Sequence, residues 1–146
     1  KTFKMLNKLG MDTHAHVMLG APGETKETIE QTINFIKKID PTTASFGICT
    51  PYMGTDLFNE VSKNHPEIKD GSACDLSKLH EKGFFNKYYT ELTDKELENS
   101  IKKAYRSFYF RPQYIFKWLP KIKNIDELKR LTLAGTNVFS FTVTKD

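Results

Sequence analysis

Two hydrophobic periods alternate along the first half of this chain. Thr13–Leu19 reads as a buried strand, with His14 and His16 on one face because successive side chains point to opposite sides. Lys26–Ile39 carries Ile29, Thr32, Ile33, Ile36 and Ile39 at helical spacing, one apolar stripe of an amphipathic helix. Asp40-Pro41-Thr42-Thr43 breaks that helix, and Ala44–Thr50 returns to period two, with Phe46 and Ile48 set against Ser45, Gly47 and Cys49. A further helix is predicted over Asp56–Asn64, stopped by Pro66. Ahead of all this, Phe3, Leu6 and Leu9 share one helical face and Gly10 occupies the position of a helix-ending glycine.

The second half is mainly helical. Asp70-Gly71-Ser72 reads as a turn, and Phe84–Tyr89 as either a short strand or an aromatic loop. Thr93 and Glu96 form a capping box that opens a helix to about Tyr109, with Leu97, Ile101, Ala104, Tyr105 and Phe108 facing inward. Arg111-Pro112 ends it, and a short helix over Gln113–Leu119 stops at Pro120. Asn124 and Glu127 cap another helix that is expected to end at Ala134, before Gly135. Val138–Val143 fits an edge strand by alternation and a helix by position, and both remain open.

Helix, strand, helix, strand, helix is the signature of an α/β fold with a parallel sheet. Parallel strands need both faces covered, so a sheet of two strands looks truncated. Each strand runs into a Gly/Pro loop, Gly20–Glu24 and Pro51–Thr55, and in α/β sheets and barrels that end of the strands is where ligands sit. Gly20 and Gly23 lack a Cβ, which lets backbone polar groups approach a ligand, and Pro22 stiffens the turn between them.

The length of 146 residues suits about one domain with its own core. Opening on Lys1 in mid-helix, without an initiator Met, it looks like a piece of something longer. No apolar run nears the ~20 residues of a membrane span, and nothing resembles a signal peptide. The net charge of +4 comes from lysines opposed by many glutamates along helices, a solvated surface rather than a nucleic-acid patch. Cys49 and Cys74 match no zinc or iron–sulfur spacing, and two free thiols in a reducing cytoplasm are expected.

Several motifs weaken on inspection. Gly20–Lys26 invites a phosphate-loop reading, but Thr25 stands where the second glycine of that motif belongs and Glu24 would repel phosphate. Glu24 is favoured near a helix N-terminus by the helix dipole alone, and equally suits a role orienting the loop or a ligand. His14 and His16 could hold a metal, but no third ligand is close in sequence. The aromatic run from Tyr105 to Trp118 is core or interface, clustered as if meant for another part of the protein.

Three stretches together resemble the C-terminal part of a radical S-adenosylmethionine domain, most closely the subgroup with a cobalamin-binding domain that includes anaerobic magnesium-protoporphyrin monomethyl ester cyclases. They are Leu9-Gly10-Met11, Met18-Leu19-Gly20-Ala21-Pro22-Gly23-Glu24-Thr25, and Thr50-Pro51-Tyr52-Met53-Gly54-Thr55. Tyr109–Tyr114 and Ile125–Arg130 are similar to the family's helical extension. The resemblance implies the last two strands of a partial (β/α)6 TIM-like barrel in residues 1–66, followed by a mainly helical extension in 67–146. It also implies that Met18, Leu19 and Gly20 lie beside the adenine of S-adenosylmethionine, and that Gly23 and Glu24 shape the loop. Thr50, Tyr52 and Gly54 would sit at the barrel mouth near cofactor or substrate. Met53 departs from the proline usual at its position.

The three-cysteine motif that holds a 4Fe-4S cluster in such enzymes is absent from the chain. The cluster and the cobalamin are therefore expected in the remainder of the parent polypeptide, and this chain alone should be inert. In the parent, an electron from the cluster would cleave S-adenosylmethionine to a 5′-deoxyadenosyl radical that takes hydrogen from a small-molecule substrate. No catalytic acid, base or nucleophile is expected here. An exposed strand edge would also favour a homodimer. Two rivals are a non-catalytic interaction module using the aromatic C-terminal helices, and a small α/β enzyme using His14, His16 and Glu24. The second has too few ligands.

Overall fold

The computed structural model describes residues 1–68 and 85–143. The expected turn at Asp70-Gly71-Ser72, the thiol of Cys74 and the ring of Phe84 lie outside them. Strands β1 (His14–Leu19) and β2 (Thr43–Ile48) pair in a two-stranded parallel sheet. Thr43 N donates to Thr13 O at 3.0 Å and Cys49 N to Leu19 O at 2.7 Å, so the register holds from one end of the pair to the other. The residues fit these strands by alternation: Ala15, Val17 and Leu19 of β1 and Ala44, Phe46 and Ile48 of β2 are buried. Their neighbours His14, His16 and Met18 are exposed, and Thr43, Ser45 and Gly47 half-buried. β1 is thus buried on one face only, and its other face carries His14, His16 and Met18.

Six α-helices accompany the strands among the described residues: α1 (Thr2–Lys8), α2 (Lys26–Ile39), α3 (Asp56–Asn64), α4 (Asp94–Tyr109), α5 (Pro112–Trp118) and α6 (Ile125–Val143). Single 3-10 turns occupy Pro66–Ile68, Asn86–Tyr88 and Leu119–Lys121. Their starts follow from local chemistry. Thr55 Oγ1 accepts from Phe58 N at 3.2 Å to cap α3, and the capping box of α4 closes through Thr93 and Glu96 in both directions. Pro112 takes the first helical position of α5, where a missing N–H costs nothing.

Two expectations need correction. β2 begins at Thr43 and stops at Ile48, so Thr50 lies in the loop beyond it. α6 does not end at Ala134: it passes through Gly135 and takes in Val138–Val143, which is helix and not strand. The reason is tertiary. Phe141 packs edge-on against Tyr105 with ring centroids 5.4 Å apart, and Phe139 against Phe110 at 6.2 Å. Those contacts outweigh the helix cost of one glycine.

The chain divides into two compact units. The first comprises residues 1–15, 33–45 and 102–146. Its buried side chains include Ile33, Ile36, Ala44, Phe108 and Tyr114. Tyr109 is hydrogen-bonded to both backbone groups of Ala44, and the Tyr114 hydroxyl donates to Thr42 O at 3.0 Å. Asp40 joins Arg111 and Lys117 in an ion cluster. The second unit comprises residues 16–32 and 46–101, with Leu19, Ile29, Leu97 and Ile101 in its interior and a smaller cluster of Phe58, Val61 and Ile68.

Candidate functional site

The loops that follow β1 and β2 belong to the second unit and are joined by residues 86–89. Leaving β1, the chain turns at Gly20, whose φ of +82° favours glycine. The Glu24 carboxylate folds back over the turn and accepts from Gly20 N and, at 3.2 Å, from Ala21 N. Thr25 and Thr28 then exchange backbone and hydroxyl hydrogen bonds at the start of α2. Glu24 therefore closes its own loop, and the two amides it occupies are not offered to an anion.

At the end of β2, Cys49 O accepts from Asn86 Nδ2 at 3.0 Å and from the Tyr89 hydroxyl at 2.8 Å. The same Asn86 amide reaches Gly20 O at 3.5 Å, and Gly23 N donates to Tyr89 O at 3.1 Å. One side chain thus bridges the carbonyls at both strand ends. Its orientation is fixed by chemistry, since a reversed amide would set Oδ1 against two carbonyl oxygens. Asn86 is fully buried, and its Oδ1 has no hydrogen-bond partner among the described residues. Phe85, at φ +61°, sets the turn that delivers it.

Neither Cys49 nor Tyr89 is ready for proton or nucleophilic work at neutral pH. Burial pushes the Cys49 thiol up, with Glu24 adding to it, and burial likewise pushes the Tyr89 phenol far above its ordinary value. A protonated, half-buried thiol is a poor metal ligand and a poor nucleophile.

Of the residues that sequence singled out, Gly20, Gly23 and Glu24 are brought into one hydrogen-bonded network with Asn86 and Tyr89. Thr50 is buried beside it in the chain, and Gly54 turns the second loop at φ +85°. Met18 and Leu19 point to opposite faces: Met18 is 65 % exposed and Leu19 fully buried, so of the two only Met18 presents its side chain to solvent. Tyr52 and Met53 are exposed on the second loop. The absent side chain of Gly20 serves packing: a Cβ there would lie 3.0 Å from Leu97 Cδ2 and 3.2 Å from Asn86 Nδ2. Asn86, Tyr89 and Leu97 were not expected at the site. Leu97 was legible as core, but nothing in the aromatic run 84–89 marks Asn86 as the bridge.

The histidine pair has other surroundings. In the first unit, the His14 ring lies between the Thr43 hydroxyl, 2.6 Å from Nδ1, and the Ser45 hydroxyl, 3.1 Å from Nε2. Among the described residues, no three His, Cys, Asp or Glu side chains gather as a metal site.

The chain is similar to two curated enzymes. A protein named as an uncharacterized methyltransferase from Pyrococcus horikoshii is 32 % identical over 119 residues, 78 % of this chain and 24 % of that protein. The anaerobic magnesium-protoporphyrin IX monomethyl ester cyclase of Cereibacter sphaeroides is 28 % identical over 111 residues, 76 % of this chain and 17 % of the cyclase. The chain thus spans at most about a quarter of the length of either. No family model and no solved structure matches it.

Proposed function

We propose that this chain is the C-terminal part of a radical S-adenosylmethionine enzyme core and supplies one wall of the cofactor and substrate site. On this reading β1 and β2 are the last two strands of a partial (β/α)6 barrel, and the face bearing His14, His16 and Met18 is turned to its lumen. The observation that carries it is the strand-end network, in which the Gly20–Glu24 loop and the residue after β2 are fixed by one buried amide. The sequence resemblance and the names of the two similar enzymes support the same reading.

The residues present fit part of an S-adenosylmethionine site. Met18 and Tyr52 offer exposed apolar and aromatic surface of the kind that covers a purine, whereas Leu19, Gly20 and Glu24 hold the loop rather than touch a ligand. Such a cofactor, bound with a reduced 4Fe-4S cluster, supplies one-electron cleavage and hydrogen abstraction. Among the described residues no three His, Cys, Asp or Glu side chains gather as a metal site, and on this reading both the cluster and a cobalamin are held elsewhere in a longer parent. The chain by itself is inactive.

Gly20→Val is a poor test because its side chain strikes Leu97. Met18→Asp is cleaner: it changes an exposed residue and leaves the loop intact. In the full-length parent it is expected to weaken S-adenosylmethionine binding by about tenfold, a loss of roughly 1.4 kcal/mol, with unchanged thermal unfolding. Undiminished affinity refutes the assignment. The parent reading frame gives a second test, because a Cys-x-x-x-Cys-x-x-Cys motif is required upstream of Lys1.

A non-catalytic interaction module is the second reading. It is favoured by Ile115, Phe116 and Leu119, which stand exposed at α5 and the turn after it. Full radical activity of a parent from which these residues had been replaced by polar ones, together with a lost protein partner, would decide for it.

A further inference from the structure

The helices of the first unit enclose an open cleft of about 630 Å³, within the range of small-molecule sites. Its walls are apolar and aromatic, including Tyr109, Tyr114, Trp118, Leu131 and Val138. The two tyrosine hydroxyls are spent on the carbonyls of Ala44 and Thr42, so these residues contribute ring surface without an unmet polar group. Arg130, on α6, is the one charged residue among the described residues that line the cleft.

Gly135 is a second and independent observation. It lines the same cleft in the interior of α6, where glycine is destabilising relative to alanine. A Cβ there would meet nothing within 4 Å, so protein packing does not require the glycine. What the missing side chain leaves is room for another molecule against the helix backbone.

We propose that this cleft binds an amphipathic carboxylate, its apolar body lying along Gly135 and the rings of Tyr109, Tyr114 and Trp118, and its carboxylate on the Arg130 guanidinium. The charge of the lining selects the head group. An apolar cleft with a single guanidinium at its wall favours one anionic end on an otherwise water-averse molecule, and guanidinium–carboxylate pairing is bidentate. Arg130 also borders a smaller hollow with Asp12 and Glu127. Glu127 accepts from Lys123 N at 2.6 Å and Asp12 from the Thr42 hydroxyl at 3.3 Å, bonds that orient both carboxylates without cancelling their charge.

Trp118 is the single tryptophan of the chain and lines the cleft, so its fluorescence reports occupancy directly. The 146-residue chain is titrated with dodecanoate and, in parallel, with dodecanol. Dodecanoate is expected to give a saturable change in Trp118 emission. Arg130→Gln weakens dodecanoate by about tenfold and leaves dodecanol unchanged. Gly135→Phe fills the cleft and abolishes binding of both, while Gly135→Ala, which adds one methyl group in open space, retains it and confirms that the helix tolerates substitution. No saturable change in the unmodified chain overturns the proposal, as does undiminished binding to Gly135→Phe with a native circular-dichroism spectrum. Loss of a dimer in Gly135→Phe without any dodecanoate binding gives the cleft to a second copy of the chain, which also overturns it.

Discussion

Replacing Gly20 by alanine adds a single methyl group, and the structure sets out what it meets. The residue sits at φ +82°, a region that costs an L-residue roughly 1–2 kcal/mol. Against this stands about 0.4–1 kcal/mol gained by restricting the unfolded chain. The methyl would then lie 3.0 and 3.2 Å from the two Leu97 methyls and 3.2 Å from Asn86 Nδ2. Leu97 and Asn86 are both fully buried, so neither can swing into solvent to make room. Overpacking of this kind costs about 1–3 kcal/mol, and displacing the Asn86 amide from Cys49 O adds about 1 kcal/mol. The sum is a destabilisation of about 2–6 kcal/mol. Gly23 is the internal control: its φ is +74°, but a Cβ there meets nothing, so Gly23→Ala is expected to cost only about 1 kcal/mol. Urea unfolding followed by circular dichroism measures both. A double-mutant cycle isolates the steric part, since in a Leu97→Ala background Gly20→Ala should cost about 1–3 kcal/mol less than alone. Equal costs for Gly20→Ala and Gly23→Ala, or an additive cycle, would refute the claim that Gly20 is glycine for packing.

Other substitutions probe the network and the ion pairs. Asn86→Asp replaces the bridging donor with a carboxylate facing carbonyl oxygens. At neutral pH it should destabilise by about 3 kcal/mol or more, beyond Asn86→Ala, as read by urea midpoints. Glu96 is held at about 2, below its ordinary 4.5, first by the hydrogen bond from Lys26 and then by the Thr93 amide. Its stabilising contribution is therefore present above about pH 4.5 and is lost as pH falls toward 2, and Glu96→Gln should flatten acid unfolding across that window. Burial raises the Tyr114 phenol from 10 to about 12. The folded state thus favours the neutral ring, and stability complete below pH 10 declines as pH rises toward 12. Tyr114→Phe should remove that step in an absorbance titration and, by losing the bond to Thr42 O, lower stability by about 1 kcal/mol.

Periodicity read correctly wherever one local preference acted alone. The stripe of α2 and the capping box at Thr93 are each decided by neighbours within a few residues, and both elements appear where those residues place them, whereas Pro112, expected only to end α4, opens α5. Gly135 shows where that reasoning stops. A glycine after an apolar stripe is a stop signal only if nothing beyond it has a helical partner, and Phe139 and Phe141 find theirs in Phe110 and Tyr105, which are some thirty residues earlier. The same limit applies at the site. Gly20 and Glu24 could be singled out because a Gly/Pro loop after a strand is a local pattern, and the bond from Glu24 to its own loop is local too. Asn86 is different: its meaning lies in two carbonyls, 37 and 66 residues away in sequence, whose positions depend on how both strands end. Burying an asparagine is costly unless its amide is paired, and here the amide is spent on the two carbonyls whose spacing it fixes. The loops alone could adopt many separations. It is the amide between them that makes their spacing a property of the fold.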